Sequence, residues 1–297
     1  MNDLADWFPG FASRHVMVEG ATLFARLGGD GPPLVLLHGY PQSHVMWRRV
    51  AVELAKHFTV VLPDLRGYGA SSAPDSQGGE AYAKRVMAED VISLMRDLGF
   101  PKFRIAGHDR GGRVAYRLAL DHPEHVERLA TLDVTPTVEM WRGMNAARAM
   151  KIYHWLFLAQ PAPLPETLIA QASQAYIDHT LASWTATNTL DCFADVLPEY
   201  RAAFADPRRI HAMCEDYRAG ATLDLAADEA DSAAEHKIEA PLLALWGVSG
   251  IPAAGESPLD VWRRWARDVR GQGVPGGHFL PEEAPEATSR ALLDFFA

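Results

Sequence analysis

Residues 107–112 read Gly-His-Asp-Arg-Gly-Gly, and they set an aspartate where a sharp strand-to-helix turn commonly carries a nucleophile. Gly107 and Gly111 frame Asp109, as they must if strand and helix are to approach closely. A carboxylate is suited to displacing a leaving group at saturated carbon, which forms an alkyl ester. Water activated by a base then attacks the carboxyl carbon of that ester and frees an alcohol. The base expected here is His278, in the Gly-rich stretch "GVPGGHF", and it must be neutral and held by an acid. Asp133, closing the apolar run "ERLATLD", is the expected acid because strand ends meet at the active face of an open α/β sheet. Asp260 is the main rival and Glu256 lies nearby. Locally, a Gly-Asp-x-Gly turn can also be a plain turn whose aspartate caps the next helix, and Asp133 can likewise be a cap.

Arg110 and Arg113 are three residues apart, so at the start of one helix their side chains are neighbours. Two guanidinium groups beside an anionic nucleophile can hold a substrate carboxylate through bidentate hydrogen bonds. They also offset the repulsion between nucleophile and anionic substrate, roughly 4 kcal/mol at about 4 Å and an effective dielectric near 20. The alternative is structural pairing with an acid such as Asp90 or Glu124. Arg110 is the less open to it, since the residue after the nucleophile is expected to face the pocket.

The elements that must position these groups follow an α/β rhythm. Short apolar runs ("PLVLLHG", "TVVLPD", "KFRIAGHD", "VERLATLD", "PLLALWG") alternate with amphipathic stretches, which predicts a parallel sheet covered on both faces. From about Thr135 to Ala219 the chain is aromatic-rich, Ala-rich and helical in pattern. The simplest topology inserts that helical cap (135–219) between the sixth and seventh strands of a core formed by 1–134 and 220–297. "PDLRGYG" reads as a structural loop, with Asp64 and Arg66 as architecture.

A net charge of −10 argues against nucleic acid and anionic membranes as partners, so an anionic ligand needs a local positive site. Two cysteines, Cys192 and Cys214, form neither a CxxC pair nor a disulfide framework. No leader pattern and no run of about 18 apolar residues is present, and a soluble cytoplasmic protein is expected. No metal-binding or cofactor-binding motif occurs, so no metal or cofactor is expected.

With "FPGF", "HGYPQ", "DLRGYG", "GHDRGGR", "ALDHPE", "HWLFLAQPAPLPE", "DYRAGATLD" and "GGHF" laid out, the chain resembles the fluoroacetate (haloacetate) dehalogenases of the α/β-hydrolase superfamily almost from end to end. The resemblance implies the α/β-hydrolase fold: a mostly parallel eight-stranded sheet, helices on both faces, and a helical cap. It implies Asp109 as nucleophile, His278 as base, Asp133 as its acid, and Arg110 with Arg113 for the substrate carboxylate. Backbone N–H groups of Tyr40 and Arg110 would form the oxyanion hole. His154, Trp155 and Tyr217 would bind halide, since imidazole, indole and phenol each offer a donor to departing fluoride. Trp184 is a further candidate. From the residues alone, these aromatics read more often as core or cap packing. The implied substrate is a small anionic halogenated acid, converted to glycolate and halide, and the implied assembly a homodimer.

Epoxide hydrolases share the Asp nucleophile and His base but use cap tyrosines, and Tyr153, Tyr176, Tyr200 and Tyr217 lie in or near the cap. Arg110 argues against them, because the related enzymes for neutral substrates commonly carry Trp after the nucleophile. Dehalogenation of another small 2-halo acid is a neighbouring alternative. A non-catalytic protein binding a small acid on the same fold is an alternative of another class.

Overall fold

The computed structural model describes residues 6–250 and 256–297; residues 251–255, part of the stretch searched for the base's acid, lie outside the described residues. Eight strands form one sheet: β1 (Ala12–Val18), β2 (Ala21–Gly28), β3 (Pro33–Leu37), β4 (Thr59–Pro63), β5 (Phe103–His108), β6 (Val126–Leu132), β7 (Leu242–Gly247) and β8 (Val269–Val274). Their spatial order is β1-β2-β4-β3-β5-β6-β7-β8, with β2 antiparallel to both neighbours and every other pairing parallel.

The apolar runs become the central strands because both of their faces are covered. Leu34 to Leu37 of β3, Val60 to Leu62 of β4 and Ile105 and Ala106 of β5 are fully buried. The outer strands read differently: β1 is mostly exposed, and β8 carries Arg270 and Gln272. An edge strand rich in polar side chains gives a second chain little to pair with.

All helices between β6 and β7 belong to one insertion, from the helix Thr137–Arg142 to the helix Leu223–Ala233. The break between residues 219 and 220 read from sequence falls inside the helix Pro207–Ala221, which carries Tyr217 and packs against the helix Tyr153–Leu158. "ADPRR" separates the helix Leu197–Ala203 from the helix Pro207–Ala221 and starts the latter: the Asp206 side chain accepts the Arg208 backbone N–H, and Pro207 takes the first helical position. Among the described residues no helix is long and apolar enough to cross a membrane.

The "DLRGYG" loop is architecture, as expected. Arg66 makes a bidentate pair with Asp90, both bonds 2.6 Å. Asp64 accepts from the backbone of His44 and Ala70. Asp90 is thereby engaged and unavailable to either Arg110 or Arg113.

Candidate active site

β5 passes directly into the helix Asp109–Asp121, and Asp109 at the junction has φ +45°. A non-glycine residue in that region is strained by about 1–3 kcal/mol and persists only where its surroundings force it. Here the forcing is steric. A Cβ on Gly107 would lie 2.4 Å from the Gly111 carbonyl oxygen, and one on Gly111 would lie 2.3 Å from the His38 carbonyl oxygen. The turn is thus locked between helix and β3, and Asp109 stands at the sheet's carboxyl end, 7% exposed.

The "HGY" loop after β3 reaches the same point, where the Tyr40 backbone N–H donates to Asp109 Oδ2 at 3.1 Å. A donor on the carboxylate is also a donor for the oxyanion that forms on that carbon. A Cβ on Gly39 would come within 2.6 Å of the Asp109 Cβ, so glycine is needed for this approach.

His278 Nδ1 lies 2.6 Å from Asp133 Oδ2, and the Gly247 backbone N–H donates to Asp133 Oδ1 at 2.9 Å. Asp133 follows β6 with φ +49°, a second left-handed non-glycine residue at the site. The loop after β7 makes room for it, since a Cβ on Gly250 would sit 2.2 Å from Asp133 Oδ1. The rival acids lie elsewhere: Asp260 pairs with Arg263 and Glu256 with Arg264, both at the surface. His278 is 1% exposed and its Nε2 has no protein partner. His278 is therefore oriented by one nitrogen and, among the described residues, without a partner at the other, the arrangement a proton acceptor needs.

One cavity gathers Asp109, Arg113, Asp133, His154, Trp155, Trp184 and His278. Its volume is about 10 Å³, on the order of what admits one water. Any ligand larger than a water enters only with movement of the lining side chains or of the insertion. A groove of about 1040 Å³ bordered by Asp75, His211 and Arg218 shares none of these residues, so chemistry and not size marks the site.

The two arginines differ in their partners. Arg113 donates to the Thr135 carbonyl and the Thr137 hydroxyl, leaves Nε unpartnered, and lies 4.6 Å from the Trp155 ring centre. It reaches the cavity with no acid on it among its hydrogen bonds. Arg110 is the one that pairs structurally: Nε and Nη2 meet the Asp216 carboxylate at 3.1 and 2.5 Å, and Nη2 also meets the Asp216 carbonyl. Only Nη1 is unpartnered. The expectation that Arg110 is the freer of the two is corrected by this geometry, because the guanidinium turns toward the helix Pro207–Ala221 of the insertion. Neither acid weighed from sequence is the partner; Glu124 sits beside His122 and His125.

His154, Trp155 and Tyr217 come together as a cluster. Tyr217 lies 5.5 Å from His154 and 6.3 Å from Trp155, centre to centre, while Arg110 stacks over the Tyr217 ring at 4.5 Å. His154 Nδ1 and the Tyr217 hydroxyl are buried without a protein partner. Buried donors are ordinarily satisfied, so two adjacent unsatisfied ones suit an acceptor that arrives with a ligand. Trp184 belongs here as well, 4.3 Å from the His154 ring and edge-on to His278 at 5.4 Å.

The electrostatics match an anionic nucleophile beside a base. Burial alone would raise the Asp109 pKa, but His278, His108, Arg110 and Arg113 together hold it below the ordinary value. Burial pushes His154 down to about 3, so at neutral pH it is an uncharged N–H donor. Burial alone would lower the His278 pKa, yet the hydrogen bond and charge of Asp133, with Asp109 and Glu283, carry it above 6.5. Because the base works only when neutral, turnover should fall as pH drops through that raised value. A pH profile of kcat should thus show an acid limb, and a rate that does not fall on acidification would contradict the assignment.

Three contributors escaped the sequence reading. His108 Nε2 lies 2.8 Å from the His278 carbonyl and pins the base loop to the elbow strand. Glu283 accepts from the backbone of Gly277, Phe279 and Ala186, gripping both sides of His278 and tying the loop to the insertion. Glu282 accepts from Gln42 and Tyr200 and pairs with Arg48. Each adjoins a catalytic residue in sequence or loop, the only signal available without coordinates.

The family model for the alpha/beta hydrolase fold matches residues 32–285. A fluoroacetate dehalogenase of Burkholderia sp. is 42% identical, over 98% of this chain and 95% of its own. A soluble epoxide hydrolase of Corynebacterium sp. (strain C12) is 34% identical, over 95% and 96%. Among solved structures, a protein of Nostoc sp. PCC 7120 provisionally assigned as an alpha/beta hydrolase superposes with a TM-score of 0.93 at 48% identity, covering 97% of this chain and 98% of its own.

Proposed function

The chain belongs to the α/β-hydrolase fold family and is a hydrolase, and from that premise we propose that it removes halide from a haloacetate, fluoroacetate above all, to give glycolate. The observation that carries the proposal is the single small cavity holding Asp109, His278, Arg113, His154 and Trp155.

In the first step an Asp109 carboxylate oxygen attacks the halogen-bearing carbon, and the carbon–halogen bond breaks with its electron pair leaving on the halide. His154, Trp155 and the Tyr217 hydroxyl replace the hydration that fluoride gives up. Arg113 holds the substrate carboxylate, with Arg110 behind it. In the second step His278 Nε2 takes a proton from water, whose oxygen adds to the Asp109 carboxyl carbon. Tyr40 N–H, already on that carboxylate, and Arg110 N–H hold the oxyanion. Collapse breaks the ester bond, and glycolate leaves with the proton from His278.

Halide-specific potentiometry with glycolate analysis tests this, using fluoroacetate and chloroacetate beside a neutral haloalkane and an epoxide. Halide and glycolate from the acids support it; diol formation alone would move the assignment to epoxide hydrolysis. That second reading has one observation in its favour, the buried, unpartnered Tyr217 hydroxyl as a proton donor to an opening epoxide.

Arg113→Lys should raise KM for haloacetate on the order of tenfold or more with a smaller effect on kcat, because a point charge replaces a fork that also stacks on Trp155. Steady-state kinetics indistinguishable from the parent would remove Arg113 from carboxylate binding.

A further inference from the structure

Arg110 shares its carboxylate with a second cation. Asp216, fully buried on the insertion helix Pro207–Ala221, is met by Arg110, by the Lys84 ammonium and by the Tyr68 hydroxyl at 2.7 Å. Lys84 is 2% exposed, opens the helix Lys84–Asp97, and lies outside the catalytic cavity. Its ammonium is also 3.5 Å from Asp224, which takes up part of its charge.

Packing alone does not call for this arrangement. Burying a lysine beside an arginine is costly, and an apolar side chain commonly fills such a place at less expense. Electrostatics gives it a reason. An isolated Arg110–Asp216 pair is neutral overall and presents little field to an anion, whereas Lys84 competes for the same carboxylate and, offset only in part by the more distant Asp224, leaves part of the Arg110 charge uncancelled. The fork that Asp216 holds leaves Nη1 unpartnered. Gly220 provides the space, since a Cβ there would stand 3.1 Å from Nη2.

We propose that Lys84 and Asp216 form a charge-setting pair behind Arg110, which positions its guanidinium and sets the preference of the site for an anionic over a neutral ligand. Lys84 acts through Asp216 and Arg110 and is a specificity-determining residue without touching substrate. The inference rests on the carboxylate-binding part of the function proposed above.

The test is calorimetric titration of the parent protein, Lys84→Met and Lys84→Arg with glycolate and with its neutral analogue glycolamide. Lys84→Met should weaken glycolate about tenfold and leave glycolamide within about twofold. Lys84→Arg, which keeps the charge, should recover most of the glycolate affinity. A general loosening of the fold would weaken both ligands alike, and that result, or unchanged glycolate binding, overturns the proposal. If Lys84→Met does not fold by circular dichroism, Lys84→Gln takes its place; failure of both to fold makes the pair structural and also overturns it. Parent protein that binds glycolate but releases no halide from haloacetates overturns the reaction and leaves the charge pair standing. Parent protein that releases halide from haloacetates but binds no glycolate overturns the charge pair and leaves the reaction standing.

Discussion

Asp109→Ala should abolish halide release from haloacetates, lowering kcat on the order of 10⁴-fold or more. No other carboxylate is placed to substitute. Among the acids lining the cavity, Asp133 is committed to His278 Nδ1 at 2.6 Å and to the Gly247 backbone. A base-catalysed direct attack by water on the substrate carbon would leave a residual rate instead, since His278 and Arg113 remain. The variant should fold, because the alanine removes a buried anion while keeping the small side chain that the turn accommodates. Halide release within tenfold of the parent would rule out covalent catalysis by Asp109.

His278→Ala should fail differently. Its loss stops the second step but spares the first, so substrate should be consumed once per site and turnover should then cease, again with a fall on the order of 10⁴-fold. A burst of halide near one equivalent, followed by a slow steady state, is the expected trace. Absence of a burst with steady release near the parental rate would show that His278 is not the base.

How far the sequence disclosed this site depends on whether a role is local. Gly107, Asp109 and Gly111 declare the elbow because the turn itself demands small residues around the nucleophile. His278 was legible from its Gly-rich loop, and Asp133 from the carboxyl end of a strand. The reason Asp133 fits was not legible, because the glycine that clears its carboxylate, Gly250, is 117 positions later by residue number, in a segment without a motif. The structural pairing of Arg110 was not legible for the same cause. Its partner Asp216 is 106 residues away, on an insertion whose docking no local pattern reports. The alternating α/β rhythm was enough for the sheet, since buried parallel strands need continuous apolar runs. Helix limits in the insertion were harder to read, because its Ala-rich sequence spreads apolar character around each helix, and the break at 219/220 fell inside one.

The proposed reaction turns on an ester between Asp109 and the substrate carbon. Intact-protein mass of His278→Ala after incubation with fluoroacetate, followed by peptide mapping, tests it most directly. The predicted result is one added carboxymethyl group on the peptide that contains Asp109. An unmodified protein, under conditions where the parent releases fluoride, would contradict it.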